Sequence, residues 1–431
     1  MKLAGVAGFG IAGKNLVKDS PSLINNDYFP EIHISFPFPP GTIADACPSD
    51  GTTSIIGSYG QWAAGLTEKE LPLFSFRRDK WRNIEKWRRA AKQRFSERLS
   101  MPVSPEMPEI MITKSHVYNG LYIEELKWEL GYGNPAEAIL LKPANVSGPL
   151  PGVLAFHDHA GNKYFGKEKI TRISDSMHPM MTDHHEALYQ GHAWANQLAA
   201  RGYVVLIPDA FAFSSRRVMI KDIPAAQRQG LSDPSPDDID GIKAYNIWAG
   251  QHESIMAKSL FSAGTTWPGV FLSEDIKALD ILCSRNDVDR DRIGCCGLSG
   301  GGLRSVSLGG WDSRIKCAIP AGFMTTWKDL VVSKATSHTW MVYVPLLPKE
   351  LDFPEILGLR APLPTLVLNN SEDPLFTLSE MKKTDEILKN IYTKAGAPDN
   401  YKVSFHPGPH KFDAPMQAEA FAWFDRWLKG S

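Results

Sequence analysis

One short stretch, Gly297 to Gly301, constrains this 431-residue chain more than any other feature. It has the pattern Gly-x-Ser-x-Gly with Ser299 at its centre, between an apolar run at 292–296 and a helix-compatible segment at 302–308. A strand, a tight turn and a helix in this order hold the serine in a strained backbone conformation. Glycine on either side lets the strand and the helix approach without a Cβ clash. We therefore predict a serine hydroxyl exposed at a strand end, beside the N–H groups of a helix N-terminus.

A serine becomes a nucleophile when a base lies beside it, and the base requires a carboxylate that orients it. The apolar run 363–370 predicts a buried strand, and Asp373 lies in the loop that follows. A second predicted strand at 401–406 is followed by His410. Open parallel sheets build their sites just past the strand ends. The sequence therefore predicts a triad of Ser299, Asp373 and His410.

For each of the two predicted partners of Ser299, a nearby residue is an alternative candidate for the same role. Glu372 is the alternative carboxylate, and an aspartate before proline, as at Asp373, is also a common turn signal. His406 is the alternative base. Because His406 belongs to the strand pattern, we expect it to point into the packing and favour His410.

Attack on a carbonyl also requires hydrogen-bond donors for the oxyanion that forms. The apolar strand 152–156 ends in His157, Asp158 and His159. We expect one donor to be the N–H of Gly300, the residue after the serine, and the other to come from the loop 157–159. The alternative for the loop histidines is that they only satisfy a buried loop.

Several stretches resemble the α/β-hydrolase superfamily, and within it the dienelactone-hydrolase and acetyl-xylan-esterase-like branch. The resemblance runs from about residue 105 to the C-terminus, and beside the serine motif it is carried by residues 156–161, 200–210, 273–282 and 288–294. It implies an α/β fold with a mostly parallel central sheet flanked by helices. It also implies a serine carboxylesterase without a cofactor, acting through an acyl-enzyme, with deacetylation of a carbohydrate among its reactions. Arg216 and Arg217 match an arginine pair of such relatives, for which we expect a structural or substrate-adjacent role.

Other functions share this pattern. A peptidase of the prolyl-oligopeptidase type has the same triad order but usually carries a β-propeller, which about 100 N-terminal residues are too few to build. Lactone and carbon–carbon bond hydrolases use a similar triad, and the sequence hardly separates them from esterases. A non-catalytic binding protein on this fold normally has a broken triad, whereas all three members are present here.

Composition is that of an ordinary globular protein, with 43% hydrophobic and 22% charged residues. A net charge of −1 gives no reason to expect nucleic acid or a membrane as partner, so we expect a small-molecule ester and leave a homo-oligomer open. Five cysteines, an odd number, favour reduced thiols and hence a cytoplasmic over a secreted or periplasmic protein. The sequence has no run of about 20 apolar residues, so we expect no membrane span.

The chain divides by motif coverage into an N-terminal arm with an amphipathic helical extension, 1–104, and a catalytic domain, 105–431. Residues 1–13 faintly imitate a signal peptide and contain a Gly-x-Gly-x-x-Gly spacing, but no strand precedes it, so we expect no dinucleotide. Apolar residues recur at helical spacing between 81 and 99, on a helix with a basic opposite face. We expect its apolar stripe to pack on the core, and a membrane or nucleic-acid surface is the alternative.

Strand patterns in the catalytic domain alternate with helical patterns. The strands are expected near 109–116, 120–129, 136–142, 152–157, 203–208, 292–297, 315–320, 364–369 and 401–406, and helices near 194–201, 274–284, 378–395 and 414–428. This order predicts a mixed sheet whose later part is parallel. Insertions near 209–270 and 322–360 interrupt the pattern, and we expect Trp267 in the first, and Trp327, Trp340 and Tyr343 in the second, to line the substrate pocket. The histidine-rich segment 178–192 lacks a metal-binding pattern, so no metal is expected.

Overall fold

The computed structural model describes residues 53–103, 106–146 and 148–430. These residues belong to one compact unit. The signal-like and glycine-rich segment 1–13 and Cys47 lie outside the described residues, so the expectations for them stay predictions, as does the proposed division at residue 104.

A nine-stranded sheet organises the part of the chain that the structure describes. Its strands are β1 (Ile110–Tyr118), β2 (Leu121–Trp128), β3 (Ala136–Pro143), β4 (Leu150–Phe156), β5 (Val204–Pro208), β6 (Val288–Leu298), β7 (Ile315–Ala321), β8 (Thr365–Asn370) and β9 (Tyr401–His406). Their spatial order is β1-β2-β3-β5-β4-β6-β7-β8-β9. The pairs β1/β2, β2/β3 and β3/β5 are antiparallel, and all later pairs are parallel. The predicted mixed sheet with a parallel later part is thereby confirmed.

Helices follow most strands of the parallel part and lie outside the sheet. They are α1 (Gly60–Glu68), α2 (Ile84–Leu99), α3 (Pro179–Tyr189), α4 (Trp194–Ala200), α5 (Ile239–Ser262), α6 (Trp267–Ser284), α7 (Gly300–Trp311), the single turn α8 (Trp327–Asp329), α9 (Phe353–Gly358), α10 (Leu378–Lys394) and α11 (Ala414–Phe424). Helix α6 begins earlier than the sequence predicted. Thr266 caps it, accepting from the Gly269 N–H at 3.0 Å, and Pro268 stands in its first turn, where proline is tolerated.

Both faces of the sheet are buried, which explains the continuous apolar runs of its central strands. On β4, Val153 and Ala155 belong to one core cluster, whereas Leu154 and Phe156 belong to the other. The same alternation separates the adjacent cysteines of β6 onto opposite faces. The thiols at 283, 295, 296 and 317 are free, in agreement with the reduced state that the sequence favours.

Helix α2 packs on the body of the protein through the apolar stripe that its spacing predicts. Trp87, Ala91, Phe95 and Leu99 are at most 1% exposed. Two residues of its basic face are engaged as well, since Arg88 donates to the backbone carbonyl of Leu359 and Arg98 pairs with Glu350. The helix is therefore a packing element of the fold.

None of the helices in the described residues is both long and apolar enough to cross a lipid bilayer.

Replacing Trp87 by alanine tests how much α2 stabilises the fold. The ring is fully buried, stacks on Phe76 at 4.5 Å between ring centroids, and donates from Nε1 to the Phe74 carbonyl at 2.6 Å. We expect Trp87→Ala to lower the free energy of unfolding by about 3–5 kcal/mol, because it leaves a cavity. Trp62, which is 66% exposed, is the matched control, and Trp62→Ala is expected to stay within about 0.5 kcal/mol. Equal effects of the two changes in urea denaturation, followed by circular dichroism, would contradict this packing.

Candidate active site

Ser299 occupies the sharp turn between β6 and α7. Its backbone has φ 57° and ψ −117°, a conformation that side-chain-bearing residues rarely adopt. Its N–H donates to the Ala321 carbonyl of β7 at 2.9 Å, and its side chain is only partly buried. The strained serine turn that the motif predicts is present.

The flanking glycines are required by the last residue of β4. A Cβ on Gly301 would lie 2.2 Å from the Phe156 carbonyl oxygen, and a Cβ on Gly297 would lie 2.5 Å from it. Real Cβ atoms essentially never come so close to a backbone oxygen. The strand, the turn and the helix therefore meet β4 at a distance that only glycine permits.

Asp373 and His410 are hydrogen bonded. His410 Nδ1 lies 2.6 Å from Asp373 Oδ2, and the other carboxylate oxygen accepts from the Leu375 N–H at 2.9 Å. The Asp373 side chain is 1% exposed. Burial opposes a charge on His410, but the Asp373 carboxylate outweighs burial and raises the pKa of the imidazole above 6.5. The arrangement fixes the ring with Nδ1 toward the carboxylate.

Gly322 brings this histidine next to the serine turn. A Cβ on Gly322 would lie 2.9 Å from His410 Cε1 and 2.8 Å from Leu298 Cδ1, so both side chains touch the same spot. Leu298 directly precedes Ser299. His410 Nε2 is buried and makes no hydrogen bond with the described residues, the Ser299 hydroxyl included. Catalytic hydrogen bonds are often loose without substrate, and Nε2 is the ring nitrogen left for Ser299.

The two alternatives from the sequence are placed elsewhere. His406 Nε2 pairs with Glu419 Oε2 of α11 at 2.8 Å. Glu372 is exposed, and its carboxylate accepts from the Gly408 N–H at 3.3 Å. These contacts support the preference for Asp373 and His410.

The backbone nitrogen of His159 lies close to Gly300, the residue that follows Ser299. Gly300 is the first residue of α7, so its N–H is among the donors that a helix leaves unsatisfied. A Cβ on Gly300 would lie 3.1 Å from the His159 nitrogen. Neither the Gly300 nor the His159 N–H has an acceptor among the residues that the structure describes. Two free donors next to a strained serine are what an oxyanion would bind.

His157 supports the loop from behind. Its Nε2 accepts from the Ala210 N–H at 3.1 Å, so the proton is on Nδ1, which lies 2.9 Å from the Asp158 carbonyl oxygen. Burial lowers the pKa of His157 to about 3 and keeps it neutral. This side chain holds the loop rather than facing the serine.

Hydrogen-bond donors reach one oxygen of the Asp158 carboxylate. Its Oδ2 accepts from the Tyr189 hydroxyl at 2.6 Å and lies 2.9 Å from His184 Nε2. Burial disfavours its charge, but His184 and Lys169 outweigh burial and hold its pKa well below the usual value. Lys169 is itself 0% exposed, and burial lowers its pKa to about 8.

Glu253 of helix α5 ties the loop to both insertions. Its Oε1 lies 2.8 Å from His159 Nε2 and 2.7 Å from Lys163 Nζ. Its Oε2 accepts from the Thr339 hydroxyl at 2.7 Å and from the Trp340 N–H at 3.0 Å. Burial opposes its charge, but Lys163 and His159 outweigh it and lower the pKa of Glu253 far below its usual value. One carboxylate thus joins the loop after β4 to segments of both insertions.

The four aromatic residues predicted to line the pocket lie in different surroundings. Trp340 is 37% exposed, and Tyr343 packs against it with 6.1 Å between ring centroids. Trp327 is buried and donates from Nε1 to the Leu351 carbonyl at 3.0 Å. Trp267 is 1% exposed at the start of α6. The Trp340 N–H donates to Glu253, and Tyr343 comes shortly after it in the chain. A role in substrate contact stays a prediction for all four aromatic residues.

The histidine-rich segment is used for packing and capping. His178 caps α3 and His185 contacts the Glu168 carbonyl, while His192 faces Gln417. Among the described residues, no group of three or more acidic, histidine or cysteine side chains is arranged to hold a metal ion.

The arginine pair also has protein partners. Arg216 is buried and pairs with Glu274 of α6 at 2.7 Å. Arg217 lies over the Tyr164 ring at 4.7 Å. The resemblance left two roles open for the arginines, a structural one and a substrate-adjacent one. The ion pair of Arg216 with Glu274 supports the structural role.

Comparisons with known proteins identify the fold. No family profile matches the chain. It is 27% identical over 307 residues to "Putative hydrolase YtaP" of Bacillus subtilis (strain 168), which covers 71% of this chain and 88% of that protein. Its structure is similar to a "putative acetyl xylan esterase" from Bacteroides fragilis, with a TM-score of 0.59, 18% identity and 84% of each chain covered. A glucuronoyl esterase from Solibacter usitatus gives a TM-score of 0.53 at 14% identity, covering 83% of this chain and 97% of that one.

These likenesses and the sheet order show that the chain has the α/β-hydrolase fold, as its motifs predicted. At such low identity the similar structures show the fold alone, and the chemistry depends on the residues of the site.

Replacing Asp373 by asparagine tests the pair that it forms with His410. Because the carboxylate raises the pKa of His410, we expect Asp373→Asn to lower that pKa in an NMR titration, with His410→Gln used to assign the signal. The raised folded-state pKa means that the pair stabilises the fold fully below about pH 6.5, and this contribution is lost as the pH rises through the folded-state pKa. The exposed neighbour supplies the control, Glu372→Gln, and an unchanged His410 titration in Asp373→Asn would refute the pair.

Proposed function

We propose that this protein is a serine hydrolase that cleaves a carboxylic ester, with Ser299 as nucleophile, His410 as general base and Asp373 as the carboxylate that orients the histidine. One observation carries the proposal. The bond between Asp373 and His410 leaves Nε2 buried and without a partner, next to a serine held in a strained turn. A histidine so oriented by a carboxylate has no evident structural task for its second nitrogen.

The reaction follows from the positions of these groups. Ser299 Oγ attacks the ester carbonyl carbon while its proton passes to His410 Nε2. The carbonyl oxygen becomes an oxyanion and accepts from the N–H groups of Gly300 and His159. When the bond to the alcohol breaks, the alcohol leaves with the proton from Nε2, and an acyl-serine remains. Water then repeats the sequence, with His410 taking its proton, and the acid is released.

The two donors are backbone groups, so their strength depends on the loop conformation rather than on side-chain identity. One free donor in such a site is worth about 3 to 4 kcal/mol of transition-state stabilisation. The helix N-terminus of α7 adds a partial positive charge beside Gly300. The same features would serve a lactone or a carbon–carbon bond hydrolase, so the substrate class needs its own argument.

Ser299→Ala is expected to abolish ester hydrolysis without unfolding the protein, because it removes only the attacking oxygen. The measurement is turnover of p-nitrophenyl acetate, together with labelling by a fluorophosphonate probe. Ser307 lies further along the helix α7 that follows Ser299 and supplies the control. We expect Ser307→Ala to keep both turnover and labelling. Near-normal hydrolysis by Ser299→Ala would refute the assignment. Absence of labelling in the unaltered protein would instead favour a non-catalytic binding protein.

We further propose a carbohydrate ester, with an acetyl group as the acyl part, as the substrate class. A similar structure, named a "putative acetyl xylan esterase", supports both parts of this choice, and the one named a glucuronoyl esterase supports only its carbohydrate part. So does Trp340, a partly exposed aromatic ring beside the Glu253 contact, since such rings suit the apolar face of a sugar.

A panel of acetylated saccharides, aryl esters and lactones tests the substrate class. We expect kcat/KM to be highest for an acetylated saccharide, and Trp340→Ala to raise KM for that substrate more than for p-nitrophenyl acetate. The reason is that the small ester lacks the sugar ring that Trp340 would contact. A higher kcat/KM for lactones, or equal effects of Trp340→Ala on both esters, would overturn the carbohydrate assignment and leave Ser299 chemistry intact.

The proposed cellular location remains cytoplasmic. The free thiols of Cys295, Cys296 and Cys317, all buried, fit a reducing compartment.

A further inference from the structure

Lys169 has an environment that the catalytic triad does not explain. It is 0% exposed, and its Nζ donates to the backbone carbonyls of Asp158 at 2.9 Å and His159 at 3.0 Å. The Phe213 ring lies 4.8 Å from the same atom. Burying an ammonium group is costly unless the group is paired and hydrogen bonded. Here Nζ lies 3.8 Å from Asp158 Oδ1, and its hydrogen bonds go to two carbonyls of the loop that borders the serine.

The Asp158 carbonyl is held twice. His157 Nδ1 and Lys169 Nζ each lie 2.9 Å from its oxygen. The Asp158–His159 peptide is trans, so its carbonyl and its N–H point in opposite directions within one plane. Whatever holds the Asp158 oxygen therefore also directs the His159 N–H, whose nitrogen lies close to Gly300.

We propose that Lys169 is a positioning residue that fixes the Asp158–His159 peptide with its N–H toward the oxyanion. The inference rests on the proposed function, because it concerns the second donor of that same site. Lys169 does not touch the substrate and acts through the peptide.

The loop needs such support because its own conformation is unfavourable. Ala160, which carries a Cβ, has φ 40° and so lies in the left-handed region that such residues rarely adopt. Strained residues persist only where surrounding contacts hold them. A flip of the Asp158–His159 peptide would turn a carbonyl oxygen toward the oxyanion and replace attraction by repulsion.

Glu253 holds the other end of the same loop. His159 Nδ1 accepts from the Gly161 N–H at 3.0 Å, so the ring donates from Nε2 to Glu253 Oε1. The burial of the ring and the nearby Lys163 lower the pKa of His159, so it remains neutral in this role. Lys169 thus donates to the backbone carbonyls of Asp158 and His159, and the Glu253 carboxylate accepts from the His159 ring.

Lys169→Met tests the proposal, because methionine keeps the length and apolar volume but removes the donors. We expect kcat for p-nitrophenyl acetate to fall about 10²–10³-fold, the usual result of losing one oxyanion donor, with KM changed less than about 2-fold. Lys277→Met is the matched control. Lys277 is also buried, at 7% exposed, but pairs with Asp280 at 3.3 Å, so kcat is expected to stay within about 2-fold.

An aryl boronic acid supplies a readout that a merely structural role would not move. It forms a tetrahedral adduct with the serine, and the negative oxygen of this adduct needs the same donors as the transition state. We expect its Kd to rise in Lys169→Met by a factor similar to the fall in kcat, and to stay unchanged in Lys277→Met. If Lys169→Met is folded and both kcat and Kd match the control, Lys169 does not position the donor.

Should Lys169→Met fail to fold, Glu253→Gln decides the question from the other side of the loop. Its control is Glu124→Gln, since Glu124 is equally buried at 5% exposed and pairs with Arg285 at 2.7 Å. We expect kcat to fall and boronate Kd to rise in Glu253→Gln alone, and equal behaviour of the two variants would overturn the proposal. Ser299→Ala, measured alongside, separates a failure of the proposed function from a failure of the role of Lys169. If it is active, the proposed function fails, and if it is inactive while the loop variants match their controls, only the role of Lys169 fails.

Discussion

The contact of β4 with the turn after β6 is the constraint on which the site depends. The Phe156 carbonyl oxygen occupies the space that a Cβ of Gly297 or Gly301 would need. This close approach places the end of β4, and the loop that follows it, directly against the start of α7. As a result, His159, which has a free backbone N–H, lies beside Gly300, which also has one, although the two residues are far apart in the sequence. A looser junction would keep the serine turn but separate the two donors.

Electrostatics at this junction are arranged around backbone groups. The cation of Lys169 lies at carbonyl oxygens, and the carboxylate of Glu253 lies at a neutral imidazole and at Lys163. Charges in a buried region need partners of this kind, because an unpaired charge would be strongly destabilising. Since Glu253 also accepts from Thr339 and Trp340, the second insertion and the loop after β4 share one carboxylate. A change in either insertion would therefore reach the loop at His159.

Local patterns predicted most of the fold, and they singled out Ser299, Asp373 and His410, of which the last two are hydrogen bonded. Each of the nine strands lies within a few residues of its expected position, because central strands buried on both faces read as continuous apolar runs. The early start of α6 was missed, although a threonine cap followed by proline carried the signal. Lys169 and Glu253 had no signal in the sequence. A lysine or glutamate in a polar or helical stretch is usually solvated, and only burial reveals that these two are not.

The sequence by itself determined the order of strands and helices, the strained turn at Ser299 and the placement of Asp373 and His410 just past strand ends. These properties depend on spacing, glycine positions and apolar periodicity, which are local. The tertiary structure alone decided which carbonyls a buried lysine would hold and which helix would supply the carboxylate beside His159. Those contacts join residues 94 positions apart, as between His159 and Glu253, and they depend on how two long insertions pack, for which no local pattern exists.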